Sequence, residues 1–130
     1  MDSPKVAVVN ADPKQCREMC SMLERLDYPA TALHSLEALH SHLGQNPVKV
    51  VIVDLDNISV NNSFFRALKR RYPNIYLLAV SSLSHHPGLE EALGSHIYAC
   101  LAKPLDPEEL HYCLKGIAAN FGGSGEAQNA

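Results

Sequence analysis

The chain has no tryptophan, and none of its apolar runs approaches membrane-spanning length. A spanning helix needs about 20 consecutive apolar residues, so a helical membrane protein is not expected. It has no basic excess: 11 Lys+Arg stand against 14 Asp+Glu, for a net charge of −3. Nothing in that balance would grip a phosphate backbone across the surface, and nucleic acid is not an expected partner. No basic segment with a long apolar run precedes Val6 to Val9, which excludes a secretory signal and predicts a cytoplasmic home. There Cys16, Cys20, Cys100 and Cys113 are expected to be reduced. No glycine-rich loop follows the first apolar run, which argues against P-loop and dinucleotide-binding enzymes. Zinc spacing is missing too: His40 and His42 point to different sides of a helix, and His85-His86 has no cysteine nearby and reads as solvated.

What the chain does have is 130 residues, 46% of them hydrophobic, enough for one domain. At this size a single core buries roughly two thirds of the unfolded surface, without disulfides or a structural metal. Residues 1–120 read as that domain. The last ten, Phe121 to Ala130, offer nothing apolar after Phe121 and read as a flexible tail or linker stub.

Short apolar or β-branched runs recur at Val6 to Val9, Ala30 to Leu33, Val48 to Val53, Ile75 to Val80 and Tyr98 to Leu101, which predicts five strands. The third lacks polar alternation, as in a parallel strand covered on both faces. Helical segments lie between them. Asp12 caps Pro13 to Leu26, whose Cys16, Met19, Cys20, Leu23 and Leu26 follow the helical period, so paired thiols there read as core rather than metal ligands. A second helix starts at Ser35 and closes before Pro47, a third covers Asn62 to Arg71, and a fourth covers about Leu89 to Leu93. The run Lys69-Arg70-Arg71 favours a helix C-terminus and reads as a solvated face. Asp106-Pro107 starts a fifth helix with Leu110, Leu114 and Ile117 as its buried stripe. Alternating β and α at this spacing predicts an open, doubly wound α/β sheet with functional residues at the carboxyl ends of its strands.

At those ends stand Asn10, Ala11 and Asp12, then Asp54 and Asp56, then Ser81 and Ser82, and finally Lys103 before Pro104. A carboxylate at the rim of a central strand can act as a nucleophile toward phosphorus, or be an ordinary turn aspartate. Lys103 could pair with it or with phosphate oxygens.

The ordered set Val8-Val9-Asn10-Ala11-Asp12-Pro13, Val51-Ile52-Val53-Asp54, Ala79-Val80-Ser81-Ser82 and Leu101-Ala102-Lys103-Pro104-Leu105-Asp106-Pro107 resembles the receiver domain of two-component response regulators. The separations, 27 residues from Asp54 to Ser81 and 22 from Ser81 to Lys103, are similar to the family's. The resemblance implies a flavodoxin-like sheet of five parallel strands in the order 2-1-3-4-5 with five helices. It implies Asp54 as phosphoacceptor for a histidine kinase or phosphotransfer protein, with Mg²⁺ assisting and Lys103 and Ser81 sensing the product. Output would pass to a downstream effector or a second copy of the chain through the fourth helix, fifth strand and fifth helix. Catalysis would be self-modification rather than turnover of a substrate.

Departures from the family pattern weaken that expectation. Asn10 and Ala11 stand where two acids are usual, and Mg²⁺ wants hard oxygen ligands. At about 4 Å and an effective dielectric of about 20, each missing charge forfeits roughly 8 kcal/mol of gross attraction to a divalent ion. Asp54, Asp56 and Asn10 remain as metal ligands, with Asp12 an alternative to its cap role. Ser81 replaces the commoner threonine, Cys100 stands where a switch aromatic is frequent with Tyr98 nearby, and the turn after Asp54 has neither proline nor glycine. The reading is therefore a receiver phosphorylated on Asp54 with low efficiency, with a phosphate-independent interaction module as the alternative.

Overall fold

The structure is a computed structural model that describes residues 3–123. Five strands, β1 (Val6–Val9), β2 (Ala30–Leu33), β3 (Val50–Asp54), β4 (Tyr76–Ser81) and β5 (Ala99–Ala102), form one parallel sheet in the order β2-β1-β3-β4-β5. Helices α1 (Pro13–Arg25), α2 (Leu36–Leu43), α3 (Asn62–Arg71) and α4 (Pro107–Gly123) are joined by a short π-helix, Ala92–His96. The fold is the expected flavodoxin-like one.

Local chemistry sets the helix starts. Asp12 accepts from the N–H groups of Lys14 and Gln15, Ser35 from Ala38, and Asn61 from Phe64. Each side-chain oxygen satisfies an amide that the first helical turn leaves without a partner. In the sheet, the two-residue period of a strand sends neighbouring side chains to opposite faces. Val6, Val8, Val50, Ile52, Leu78 and Val80 pack beneath Cys16, Cys20 and Leu23 of α1 and Leu110, Leu114 and Ile117 of α4. Ala7, Val9, Val51, Val53, Leu77 and Ala79 face Leu39 of α2, Phe65 and Leu68 of α3, and Ala92. Both faces of β3 are covered, which is why its sequence shows no polar alternation.

Three strands begin and end later than the apolar runs suggest. β3 was expected over Val48 to Val53 and runs Val50–Asp54; β4 and β5 each shift by one residue in the same direction. The ladder is a backbone pairing, and it continues through Asp54↔Val80 and Ser81↔Ala102 whatever side chain is attached. The polar residues of interest thus close their strands rather than follow them. At the other end, Val48 N–H donates to Asn46 O and stays outside the ladder.

The fourth helix also differs, lying at Ala92–His96 with a π-type bond from Ile97 N to Ala92 O of 2.8 Å. Closure over five residues stacks Ala92 and Ile97, so that both reach the core, where an α-helical turn would part them. Helix α4 continues through Gly123, past the start of the segment read as a tail, and residues 124–130 lie outside the described residues.

Candidate functional site

In the order β2-β1-β3-β4-β5 the strands β1 and β4 flank β3, so whatever ends them converges on Asp54. Asn10 follows β1, Ser81 closes β4 beside Asp54, and Lys103 follows β5 with its N–H on Ser81 O at 3.1 Å. The Asp54 side chain is 0% exposed, and every partner it has comes from these strand ends. Lys103 Nζ lies 2.7 Å from Asp54 Oδ2 and 2.9 Å from Asp56 Oδ2. Asn10 Nδ2 donates to Asp54 Oδ2 at 2.9 Å, and the Asp56 N–H donates to Asp54 Oδ1 at 2.8 Å. Lys103 also donates to Gln15 Oε1 at 3.2 Å, so α1 helps to aim it. The Lys103-Pro104 peptide bond is cis.

One ammonium is therefore shared by two carboxylates. Burial by itself would lower the pKa of Lys103, but hydrogen bonds and charge from Asp54 and Asp56 together outweigh it and hold the pKa above the ordinary lysine value. For Asp56, burial opposes ionisation while Lys103 and the N–H of Ser82 favour it, and the balance holds the carboxyl below its ordinary value. Both groups stay charged at neutral pH.

The sequence-derived residues divide into two groups. Asp54, Asp56, Lys103, Asn10 and Ser81 meet at one rim, from four strand ends. The Ser81 hydroxyl is turned to Asp56 Oδ1 at 3.3 Å and accepts the Leu83 N–H at 2.9 Å. Asp12 stays outside the cluster as the α1 cap, held also by Gln15 Nε2 at 3.3 Å. Ser82 is exposed, and its backbone N–H donates to Asp56 Oδ2 at 3.1 Å. Tyr98, half exposed on the strand-five side, packs edge-on against Tyr76 at 5.6 Å between ring centroids rather than against the rim.

Asn57 is the residue that sequence reasoning missed. Its Oδ1 accepts the Ala11 N–H at 2.9 Å and its Nδ2 donates to Asn10 Oδ1 at 2.8 Å, which clamps the turn after β3 onto the turn after β1. An amide at that position was visible in the chain, but its partner lies 46 residues away. Two histidine and lysine readings also change. Among the described residues His86 Nε2 is buried and has no hydrogen-bond partner, rather than being solvated. Lys69 is not part of a solvated face: its Nζ is drawn to the carbonyls of Pro73 at 3.2 Å and Ile75 at 2.6 Å.

The resemblance implies a divalent ion of the Mg²⁺ type beside Asp54, and the donor set can be tested for it. Asn10 presents its NH₂ to Asp54. The opposite orientation is closed, because Asn10 Oδ1 accepts the Asp12 N–H at 2.9 Å, a group that can only donate. Ala11 brings no side-chain oxygen, Asp12 is spent as a cap, and a cation already occupies the space between Asp54 and Asp56. Among the described residues no group of three or more His, Cys, Asp or Glu could hold a metal. This arrangement does not fit a hard divalent ion, which needs several free oxygens in octahedral order.

The family model described as the response regulator receiver domain matches residues 6–115. No curated protein matches the chain. Among solved structures, the signal receiver domain of an HD domain-containing protein from Pseudomonas fluorescens Pf-5 superposes with a TM-score of 0.80 at 18% identity, covering 91% of this chain and 96% of that one. A two-component response regulator from Clostridium difficile gives 0.80 at 16% identity, covering 92% and 98%. The receiver domain of the Francisella response regulator 1452 gives 0.77 at 20%, covering 92% and 99%. At these identities the structural likeness speaks for the fold.

Proposed function

The chain belongs to the response regulator receiver family, and from that premise we propose that it signals by protein contact, with Asp54 held in a structural ion network rather than cycled through an acyl phosphate. Receivers in general interact with histidine kinases and effectors, and are generally not enzymes; many bind Mg²⁺ at an acidic pocket. What supports the contact reading is one observation. Lys103 Nζ bridges Asp54 and Asp56 at 2.7 and 2.9 Å while the Asn10 amide donates to the same Asp54 oxygen from the β1 side.

A phosphoryl group needs an exposed, uncommitted carboxylate oxygen and positive charge free to take up the new anion. Asp54 has neither exposure nor a spare oxygen, and Lys103 already balances two carboxylates. The network instead ties the ends of β1, β3, β4 and β5 together, which fixes the surface carried by the π-helix, β5 and α4. A partner protein, a second copy of the chain included, would read that surface as it stands. Residues 1–120 would act as the single receiver unit. Among the described residues no helix is long and apolar enough to cross a membrane.

A second reading keeps Asp54 as a phosphoacceptor of low efficiency. It is favoured by the convergence of acid, hydroxyl and amine that the family chemistry uses: Asp54, Ser81 and Lys103. The test is incubation with Mg²⁺ and either a small phosphodonor or beryllofluoride, followed by intact mass and amide chemical shifts. The contact reading expects neither a phosphoryl mass gain nor shifts at the strand ends. A gain abolished in Asp54→Ala would replace it with the second reading.

A further inference from the structure

The ion network fixes the strand ends, but the π-helix stands beyond a loop that the network does not reach. Ser81 Oγ accepts the Leu83 N–H at 2.9 Å, and the Ser82 N–H donates to Asp56. Past that point Ser84, His85, Pro87 and Gly88 are exposed, and Gly88 turns the chain with a φ of 89°. Among the described residues no side-chain hydrogen bond or ion pair joins Asp54, Asp56, Ser81 or Lys103 to residues 84–97. What holds the π-helix comes instead from α3.

The segment does not cap itself. The Leu93 N–H makes a helical bond to Leu89 O at 2.9 Å, so the Ala92 N–H belongs to the first turn and has no carbonyl partner within the helix. Leu89 stands where a capping side chain would, and its side chain carries no oxygen. Asn62 of α3 supplies one: its Oδ1 accepts the Ala92 N–H at 2.9 Å, across 30 residues of chain. One turn further along the same face of α3, Arg66 Nε donates to Glu91 Oε2 at 2.9 Å. Two consecutive residues, Glu91 and Ala92, are thus gripped by two α3 residues one helical turn apart.

The grip and the register share one geometry, because a turn closed over five residues brings each residue onto the fifth beyond it. The Ile97 N–H reaches Ala92 O at 2.8 Å, and His96 Nε2 stands 3.0 Å from Glu91 Oε2. The two residues that α3 holds are therefore also the two on which the π-turn closes. We propose that Asn62 and Arg66 form a latch that keeps residues 92–97 in the π register, so that α3, and not Asp54, sets where the π-helix stands on the contact surface. Released, the segment loses its outside cap and the stronger partner of Glu91, and it opens as a unit that takes Ile97 from the core. The inference rests on the contact reading only for the use of that surface. A phosphoryl mass gain on Asp54 would end that reading and leave the latch standing, whereas unchanged amide exchange in the α3 variants would end the latch alone.

The test is native-state amide hydrogen exchange of the full chain, followed by nuclear magnetic resonance at Ala92, Leu93 and Ile97. Ala92 is fully buried, so Asn62→Leu leaves its N–H without a partner and should speed exchange at all three amides about tenfold. Asn62→Asp keeps an acceptor oxygen and should restore most of the protection. Arg66→Ala cuts a partly exposed pair and should speed the same amides about threefold. Lys103→Met should lower protection in β1 and β3 while leaving Leu93 and Ile97 as in the parent. Thermal unfolding checks that each variant keeps its fold. Acceleration confined to Ala92 in Asn62→Leu would signify one lost bond and no latch. That result, no acceleration at Leu93 and Ile97 in either α3 variant, no recovery in Asn62→Asp, or acceleration of Ile97 in Lys103→Met equal to that in Asn62→Leu would overturn the proposal.

Discussion

Replacing Lys103 with methionine removes the only ammonium in the network and keeps most of its aliphatic volume. At about 2.7 Å and an effective dielectric of about 20, the gross attraction to Asp54 is roughly 6 kcal/mol, most of it offset by the cost of desolvating both ions. Removing one partner of a buried pair usually costs about 3–5 kcal/mol, because the other charge is left behind. Two features moderate that figure. Asp54 keeps the N–H donors of Asn10 and Asp56, and the Lys103 side chain is 25% exposed. The expected loss for Lys103→Met is therefore about 2–4 kcal/mol at neutral pH, read from the midpoint of urea unfolding.

The pH dependence gives a second check on the same variant. In the parent the pKa of Asp56 is held below its ordinary 3.8, so this contribution is complete above that value and is lost as pH falls through the depressed one. The pKa of Lys103 is held above its ordinary 10.5, so its contribution is complete below that value and is lost as pH rises through the elevated one. The stability gap between parent and variant should be widest between about pH 5 and 9 and narrow on both sides. Adding Asp54→Asn to Lys103→Met should recover part of the loss by discharging the orphaned acid. A gap under about 1 kcal/mol at neutral pH, or one that does not narrow toward pH 3, would refute the claim that these ions hold the strand ends together.

Three further outcomes are expected. Changing Asn10 and Ala11 together to aspartate sets a carboxylate against Asp54, so the metal-free melting temperature should fall and millimolar Mg²⁺ should restore it, by about 2.7 kcal/mol when the ion stands at 100 times its Kd; the parent should show no such response. Glu91, bonded to Arg66 at 2.9 Å and to His96 at 3.0 Å, has its pKa held at about 2 by Arg66 first and His96 second, and Arg66→Ala should raise it toward 4.5 in a carboxyl-detected titration. Its stabilising effect is present above 4.5 and should fade as pH drops toward about 2. Phe65→Ala should cost about 3–5 kcal/mol by calorimetry, since Phe65 is fully buried between α3 and the sheet.

Much of the molecule was legible from one-dimensional pattern. The cap-and-proline starts at Asp12-Pro13 and Asp106-Pro107 begin helices as their chemistry demands, and the unbroken Val-Ile run became the central strand. Asp54, Ser81 and Lys103 were recognisable because each ends or follows a strand, and in a parallel sheet all such ends lie on one side. Strand limits were less accurate, since Asp54 and Ser81 join the ladder through backbone groups that hydropathy does not register. The π-helix was illegible for a related reason: its extra residue serves to bring both Ala92 and Ile97 to the core, a demand set by neighbours distant in the chain.

The sequence by itself determined the order of elements, the two-sided burial of β3 and the candidates at the strand ends, because hydrophobic period and capping are local properties. Tertiary structure alone decided how those candidates are used. Whether Lys103 serves one carboxylate or two, whether Asn10 turns its amide nitrogen or oxygen to Asp54, and that Asn57 clamps the two turns, all depend on distances between segments about 50 residues apart. Charge interactions fall off with separation in space, which chain position does not record.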